Sequence, residues 1–135
     1  MTDRRPPTAL TALRIAATVL MSLAIGQAGL AAGFIGGQEA LKPVHGVNAL
    51  VLVVGTVALV VAAIVYRRGG GGRWPALVGA ILLAVEIIQL LLARAEVVGA
   101  HIFLGILFVV LATLLTSYLF RPGFVPSTAD PAVRG

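Results

Sequence analysis

The sequence VHGVNALVLVVGTVALVVAAIVY, at residues 44–66, contains no formally charged side chain. Its strongly polar members are His45 and Asn48, which stand together near its beginning. A helix of about 20 predominantly apolar residues is long enough to cross the hydrocarbon core of a bilayer. This stretch is therefore predicted to be a membrane-spanning helix.

Three further apolar runs flank this one, at about residues 12–35, 75–93 and 97–120. The composition agrees with four spans, because 59% of the residues are hydrophobic and 11% are charged, whereas soluble domains carry about 25% charged residues. Turn-rich connections separate the runs, such as GGQEALKP at residues 36–43 and RRGGGGR at residues 67–73. The chain is therefore predicted to be all-α, an integral membrane four-helix bundle at residues 10–120 with up-down-up-down topology.

Polar segments flank the predicted bundle. Residues 1–9 are predicted to be a cytoplasmic tail, and residues 121–135, which contain Pro126 and Pro131, a disordered cytoplasmic tail. Arg4 and Arg5 ahead of an apolar run could also mark a secretory signal. That run is longer than a typical signal core, however, and no clear Ala-x-Ala site precedes a soluble domain, so we expect the first span to stay attached.

The basic residues indicate orientation rather than binding to nucleic acid. Ten Lys and Arg against five Asp and Glu give a net charge of +5, but the basic residues lie in short clusters at the ends of the apolar runs. The tails, the edge of the first span and the 67–73 loop carry all of them except Lys42 and Arg94. Cytoplasmic segments of membrane proteins are enriched in Lys and Arg, so we expect a multi-pass protein of the cell membrane with both termini cytoplasmic.

The chain contains no cysteine, which excludes disulfides, thiolate nucleophiles, iron–sulfur ligation and cysteine-based zinc sites. Any metal site must therefore use histidine, carboxylate or methionine. Zinc is disfavoured, because it takes three or four protein ligands and only Glu39 or Glu86 could join the two histidines.

Five polar residues within the spans all fall in the predicted outer half of the bilayer: Gln27, His45, Glu86, Gln89 and His101. An ionised side chain in hydrocarbon costs about 2.5–3.5 kcal/mol, so Glu86 is expected to face the bundle interior. It is interpreted either as a hydrogen-bonding partner that joins helices or as a proton-handling group. Gln27 and Gln89 are more typical of interhelical hydrogen bonding. A proton pathway through Glu86 is disfavoured, because no ionisable residue continues it into the inner half.

The four spans form two hairpins of the same orientation. Each hairpin carries a Gln in its first helix and a His that opens its second, Gln27 with His45 and then Gln89 with His101. Parallel repeats of this kind are related by an axis along the membrane normal, and their sites form at the repeat interface. We therefore expect two parallel hairpin repeats in which His45 and His101 face each other across that axis.

A glycine shares a helical face with each histidine, Gly55 with His45 and Gly105 with His101. Plain packing is one interpretation, because small residues let membrane helices approach closely. The other is a cofactor, since two histidines on diagonal helices of a bundle are a usual geometry for axial haem ligation. A pair of interfacial histidines without a ligand is the alternative. The predicted site comprises His45 and His101 as ligands of haem iron, with Gln27, Gln89, Glu86, Gly55 and Gly105 around them.

Four short motifs carry a resemblance to known proteins: QAGLAAG at residues 27–33, EALKPVHGVNAL at 39–50, EIIQLLL at 86–92 and VGAHIFLGIL at 98–107. With them the chain is similar to a family of small four-span bacterial membrane proteins of unknown function, and it resembles one four-helix half of haem A synthase. In that enzyme, histidines at the outer ends of the second and fourth helices of each half ligate haem, and His45 and His101 match their positions. Two features depart from haem A synthase: Lys42 stands where it has a Glu, and its outer-loop cysteines are absent. The resemblance implies a haem site without implying the hydroxylating catalysis.

These observations predict a small b-type cytochrome that holds haem b between His45 and His101. It would pass electrons between a quinol or redox partner protein and an acceptor, and is not expected to be an enzyme by itself. The alternative is a cofactor-free accessory or assembly subunit of a larger membrane complex. In both cases the lipid bilayer is a partner and nucleic acid is not.

The topology yields the first testable prediction. A reporter that is active only in the cytoplasm, fused after Gly135 or inserted at residues 69–72, should be active, because the basic segments hold both positions inside. A matched insertion at residues 36–38, in the opposite connection, should be inactive. The reverse pattern of activity would contradict the orientation.

Overall fold

The computed structural model describes residues 8–121 and places four helices in them. They are α1 (Thr8–Ile35), α2 (Leu41–Arg68), α3 (Trp74–Arg94) and α4 (Val98–Leu119). No strand occurs in the described residues, and all four helices are long and apolar enough to cross a membrane. The predicted all-α fold of a multi-pass membrane protein is thus confirmed. Residues 8 and 9 of the predicted N-terminal tail belong to α1, and residue 121 is described after α4. The rest of the two predicted tails lies outside the described residues.

Two helices begin earlier than the apolar runs predicted. Helix α1 starts at Thr8 instead of residue 12, and α2 starts at Leu41 instead of residue 44. The second difference places Pro43 in the first turn of α2. Proline is tolerated there, because the first N–H groups of a helix have no partner within the helix.

The helices form a ring in which each contacts two neighbours. Helix α1 packs against α2 and α4, and α3 packs against the same two helices, while in the described part of the chain the backbones of the diagonal pairs stay apart. Helices α2 and α4 therefore face each other across the bundle axis. We call the end that carries the α1–α2 and α3–α4 connections the hairpin end. The end that carries the α2–α3 loop is the loop end.

In the first hairpin, a glycine follows the end of α1 and reverses the chain. Gly37 has φ 101°, in the left-handed region that favours glycine. Its N–H donates to the carbonyl of Phe34 at 3.1 Å, and the N–H of Gln38 donates to that of Gly33 at 3.0 Å. These two bonds define a Schellman motif, which satisfies the last carbonyls of α1.

The second hairpin repeats the same motif without a glycine. Glu96 takes the left-handed position with φ 57°, and its N–H donates to the carbonyl of Ala93 at 3.3 Å. The N–H of Val97 donates to that of Leu92 at 3.0 Å. Both hairpins therefore close with one backbone geometry, as expected of a structural repeat.

Close packing is concentrated in the half of the bundle next to the loop end. The largest fully buried side chains lie there almost without exception, among them Leu10, Leu13, Leu20, Leu59, Leu82, Leu115 and Leu119. Arg14 links α1 to α4 at this end, because its Nε donates to the carbonyl of Leu119 at 2.8 Å. Its guanidinium also lies over the ring of Phe120, at 5.2 Å from the centroid. The loop-end half is thus the closely packed part of the molecule.

The packing asymmetry yields a stability prediction. Replacing fully buried Leu59 by Ala should lower the free energy of unfolding by about 2–5 kcal/mol, because the cavity left behind loses its van der Waals contacts. Leu50, which is 61% exposed on the same helix, provides the matched control. Leu50→Ala should change the stability by less than about 0.5 kcal/mol. Thermal unfolding in mild detergent measures both, and equal losses would contradict the assignment of the core.

Candidate functional site

A cavity of about 560 Å³ lies between the four helices in the half next to the hairpin end. Binding pockets for small molecules and cofactors commonly measure about 300–1,000 Å³. The cavity exists because all four helices place small residues on its wall: Ala24, Ala28, Ala31 and Ala32, Gly46 and Ala49, Ala93, and Gly105. The wall is otherwise mostly aliphatic, so its few polar side chains define what it could hold.

His45 and His101 line this cavity from the diagonal helices α2 and α4. Their ring centroids are 6.3 Å apart and their planes are inclined by 70°. The two histidines thus face each other across the bundle axis, as the hairpin repeat predicts. Both side chains are half-buried.

Each histidine is fixed by a hydrogen bond to the preceding helix of its own hairpin. Nδ1 of His45 lies 3.3 Å from the backbone carbonyl of Gln27, and Nδ1 of His101 lies 3.1 Å from that of Gln89. A carbonyl oxygen can only accept, so each Nδ1 must carry the proton. In the neutral imidazole with this tautomer, Nε2 carries the lone pair that binds a metal.

The side chain of Gln27 ties α1 to the beginning of α2. Its Nε2 donates to the carbonyl of His45 at 3.1 Å and to Nε2 of the same residue at 3.2 Å. Asn48 donates from Nδ2 to Oε1 of Gln27 at 2.7 Å and to the carbonyl of Leu23 at 3.2 Å. Sequence reasoning omitted Asn48 from the site, although its position one turn after His45 on the same face was a usable signal.

The second hairpin has no such network, although its glutamine occupies the matching place. Oε1 of Gln89 is buried and has no hydrogen-bond partner in the described part of the chain. Its Nε2 lies against Gly105, where an added Cβ would come within 3.2 Å of it. Gly105 therefore gives the Gln89 amide room inside the cavity.

Gly55 lies elsewhere. A Cβ at this position would meet the side chains of Leu20 and Leu23 at 3.5 and 3.6 Å, so Gly55 faces α1 and does not line the cavity. Ala49 and Gly105, each four residues after a histidine, are the pair that matches in the two hairpins. Gly55 contributes to the approach of α1 and α2 instead.

Glu86 lies on the wall of the cavity near the middle of the bundle, one helical turn before Gln89. Its side chain is 6% exposed, and among the described residues neither carboxyl oxygen has a hydrogen-bond partner. The hydroxyl of Thr56, on α2, lies nearby, and it too is buried without a hydrogen-bond partner among the described residues. An ionised carboxylate without a partner is costly in hydrocarbon, which favours the neutral acid in this arrangement.

Residues 8–121 contain no group of three or more His, Asp or Glu side chains that could hold a metal ion alone. A closed zinc site needs such a group, whereas haem iron takes four ligands from the porphyrin and needs only axial ligands from the protein. The two imidazoles at the cavity are fewer protein ligands than a closed zinc site uses.

Comparison with known proteins adds no assignment: no family model, no curated protein and no solved structure matches this chain. The resemblance to haem A synthase therefore stays a prediction from the sequence motifs. The assignment of function therefore rests on the geometry of the cavity.

The unequal glutamines yield a prediction. Gln27→Leu removes the hydrogen bonds to both His45 and Asn48 and should lower stability by about 1–2 kcal/mol, the usual range for polar contacts between membrane helices. Gln89→Leu is the matched control, because the side-chain oxygen it removes has no partner among the described residues, and it should be neutral or slightly stabilising. Thermal unfolding in detergent measures both variants. A larger loss for Gln89→Leu than for Gln27→Leu would refute the network.

Proposed function

We propose that the protein is a small b-type membrane cytochrome that binds haem b with His45 and His101 as axial ligands. One observation carries the proposal: two histidines on opposite walls of one cavity both hold Nδ1–H against a backbone carbonyl. Histidines that ligate metals usually donate their other ring N–H in this way, which fixes the tautomer and the orientation of the ring. The repeated geometry is difficult to account for by packing alone.

The separation of the two rings supports the same ligation. Two imidazoles could hold one iron between them only if their rings lay within a few ångströms of each other, because a metal–imidazole bond is about 2 Å long. The ring centroids of His45 and His101 are 6.3 Å apart. The small residues of α1, α2 and α4 supply the space beside them.

Haem bound in this place would supply one-electron redox chemistry. The work of the chain is to orient both imidazoles, to hold their protons on Nδ1, and to exclude water with the aliphatic wall. Gln27 also regulates access to His45, because its amide donates to the Nε2 lone pair and must release it for ligation. The amide keeps its bond to the His45 carbonyl in either case.

The position of the cavity suggests where electrons enter and leave. Both histidines lie toward the hairpin end, which the distribution of Lys and Arg predicts to face outward, with both termini in the cytoplasm. A quinol dissolved in the bilayer or a redox protein at the outer surface are the corresponding partners.

A cofactor-free accessory or assembly subunit is the second candidate. It is favoured by the Gln27 network, in which the Nε2 lone pair of His45 already accepts a hydrogen bond. Satisfied polar side chains of this kind commonly join membrane helices without further chemistry.

Visible absorption spectroscopy separates the two candidates. Protein made in haem-replete cells, purified in mild detergent and reduced with dithionite, should show the sharp bands of six-coordinate b-type haem. His45→Ala or His101→Ala should each remove the low-spin spectrum, and the double variant should lose the haem. Leu50→Ala, on the lipid-facing side of α2, should keep the wild-type spectrum. A folded, colourless wild-type protein would overturn the cytochrome and leave the accessory subunit.

A further inference from the structure

Glu86 is an ionisable residue of the cavity wall. It would take no part in ligation of haem by His45 and His101. It lies on α3, 6% exposed, and both of its oxygens lack hydrogen bonds among the described residues. A buried carboxyl is expensive to maintain in a membrane and commonly marks proton chemistry. Its burial on the wall of the same cavity as His45 and His101 gives it a specific place to act.

Among residues 8–121, no fixed counter-charge lies against Glu86. Thr56 of α2 lies nearby, and His45 of α2 and His101 of α4 line the same cavity. Ligation of haem iron through Nε2 would require both imidazoles in the neutral form, with the proton on Nδ1. No ion pair reaches Glu86 within residues 8–121. The protonation of this carboxyl therefore follows whatever charge enters the cavity.

Glu86 lies about one helical turn before the residue that holds His101. Gln89, whose carbonyl accepts from His101, is three residues further along α3, which is roughly 4.5 Å along the helix axis at about 1.5 Å per residue. Charges separated by such distances interact strongly where water is excluded, because the effective dielectric constant is low. A change of one charge at a bound iron would therefore change the proton affinity of the Glu86 carboxyl.

We propose, resting on the haem site proposed above, that Glu86 is the redox-linked proton acceptor of this cavity. Haem held by His45 and His101 would take one electron from a quinol or a reduced protein, and the Glu86 carboxylate would then bind one proton from water and become the neutral acid. On transfer of that electron to an acceptor, the O–H bond of the acid would break and the proton would return to water. The charge of the cavity would therefore be the same in both redox states.

The dependence of the midpoint potential on pH tests this coupling. Optical redox titrations of the wild-type protein over a range of about pH 5 to 9 should show a potential that falls as pH rises. The slope should approach, within part of that range, about 59 mV for each tenfold change in proton concentration, the constant for one electron coupled to one proton. Glu86→Gln keeps the size of the side chain and removes the titration, so its potential should be nearly independent of pH. At alkaline pH it should lie above that of the wild type, because the carboxylate that stabilises ferric iron is gone.

Glu39→Gln is the matched control, since Glu39 is an exposed carboxyl in the α1–α2 connection, and its slope should equal that of the wild type. A Glu86→Gln protein that binds haem and keeps the wild-type slope overturns the role of Glu86 and leaves the cytochrome standing. A wild-type protein that binds haem but whose potential does not vary with pH likewise overturns the role of Glu86 and leaves the cytochrome standing. A colourless protein overturns the haem site and the coupling together.

Infrared spectroscopy provides a second test, whose main measurement is made on the wild-type protein. The reduced-minus-oxidised difference spectrum of the wild-type protein should show a carbonyl band of a protonated carboxylic acid that appears on reduction. Loss of this band in Glu86→Gln, together with its persistence in Glu39→Gln, would assign the band to Glu86. A wild-type difference spectrum without this band overturns the proposal.

Discussion

The hydrogen bond from each histidine Nδ1 to a helix carbonyl is the interaction on which the rest of the site depends. In the hydrocarbon core no water is present to satisfy a polar ring, so the partner must come from the protein. In both hairpins it is the backbone carbonyl of a glutamine on the preceding helix, Gln27 for His45 and Gln89 for His101. One bond thereby joins two helices, selects the tautomer and leaves Nε2 free to act as a ligand or an acceptor.

The two halves of the bundle divide stability from function. Near the loop end, leucines from all four helices interlock and Arg14 fastens α1 to the end of α4. Near the hairpin end, alanine and glycine replace them and leave space between the helices. A void in hydrocarbon forfeits dispersion contacts, so the well-packed half must hold the helices in place around it. Glu86 lies at the boundary between these two regions, where burial is high and packing begins to open.

The sequence predicted the helices and the facing histidines because both depend on signals that survive in a single chain. Apolar runs report spans, and the repeated Gln and His of the two hairpins report symmetry. It could not predict how each helix is rotated, because the inner and lipid-facing sides of these helices are almost equally apolar. Gly55 therefore faces α1 instead of the cavity, and among residues 8–121 Glu86 has no hydrogen-bond partner on a neighbouring helix. Those outcomes depend on rotations of a fraction of a turn, which hydropathy does not encode.

The hydrogen bond of each histidine joins two helices of the same hairpin. This arrangement bears on the assembly of the bundle. His45 is held by α1 and His101 by α3, and each hairpin ends its first helix with the same Schellman motif. The bond that orients each histidine therefore needs only the two helices of its own hairpin, which are neighbours in the order of synthesis. The cavity is absent from either hairpin alone and forms at the seam when the two dock. Assembly of the seam is thus the step at which a ligand could be captured, and a ligand that bridges both histidines would lock the halves together.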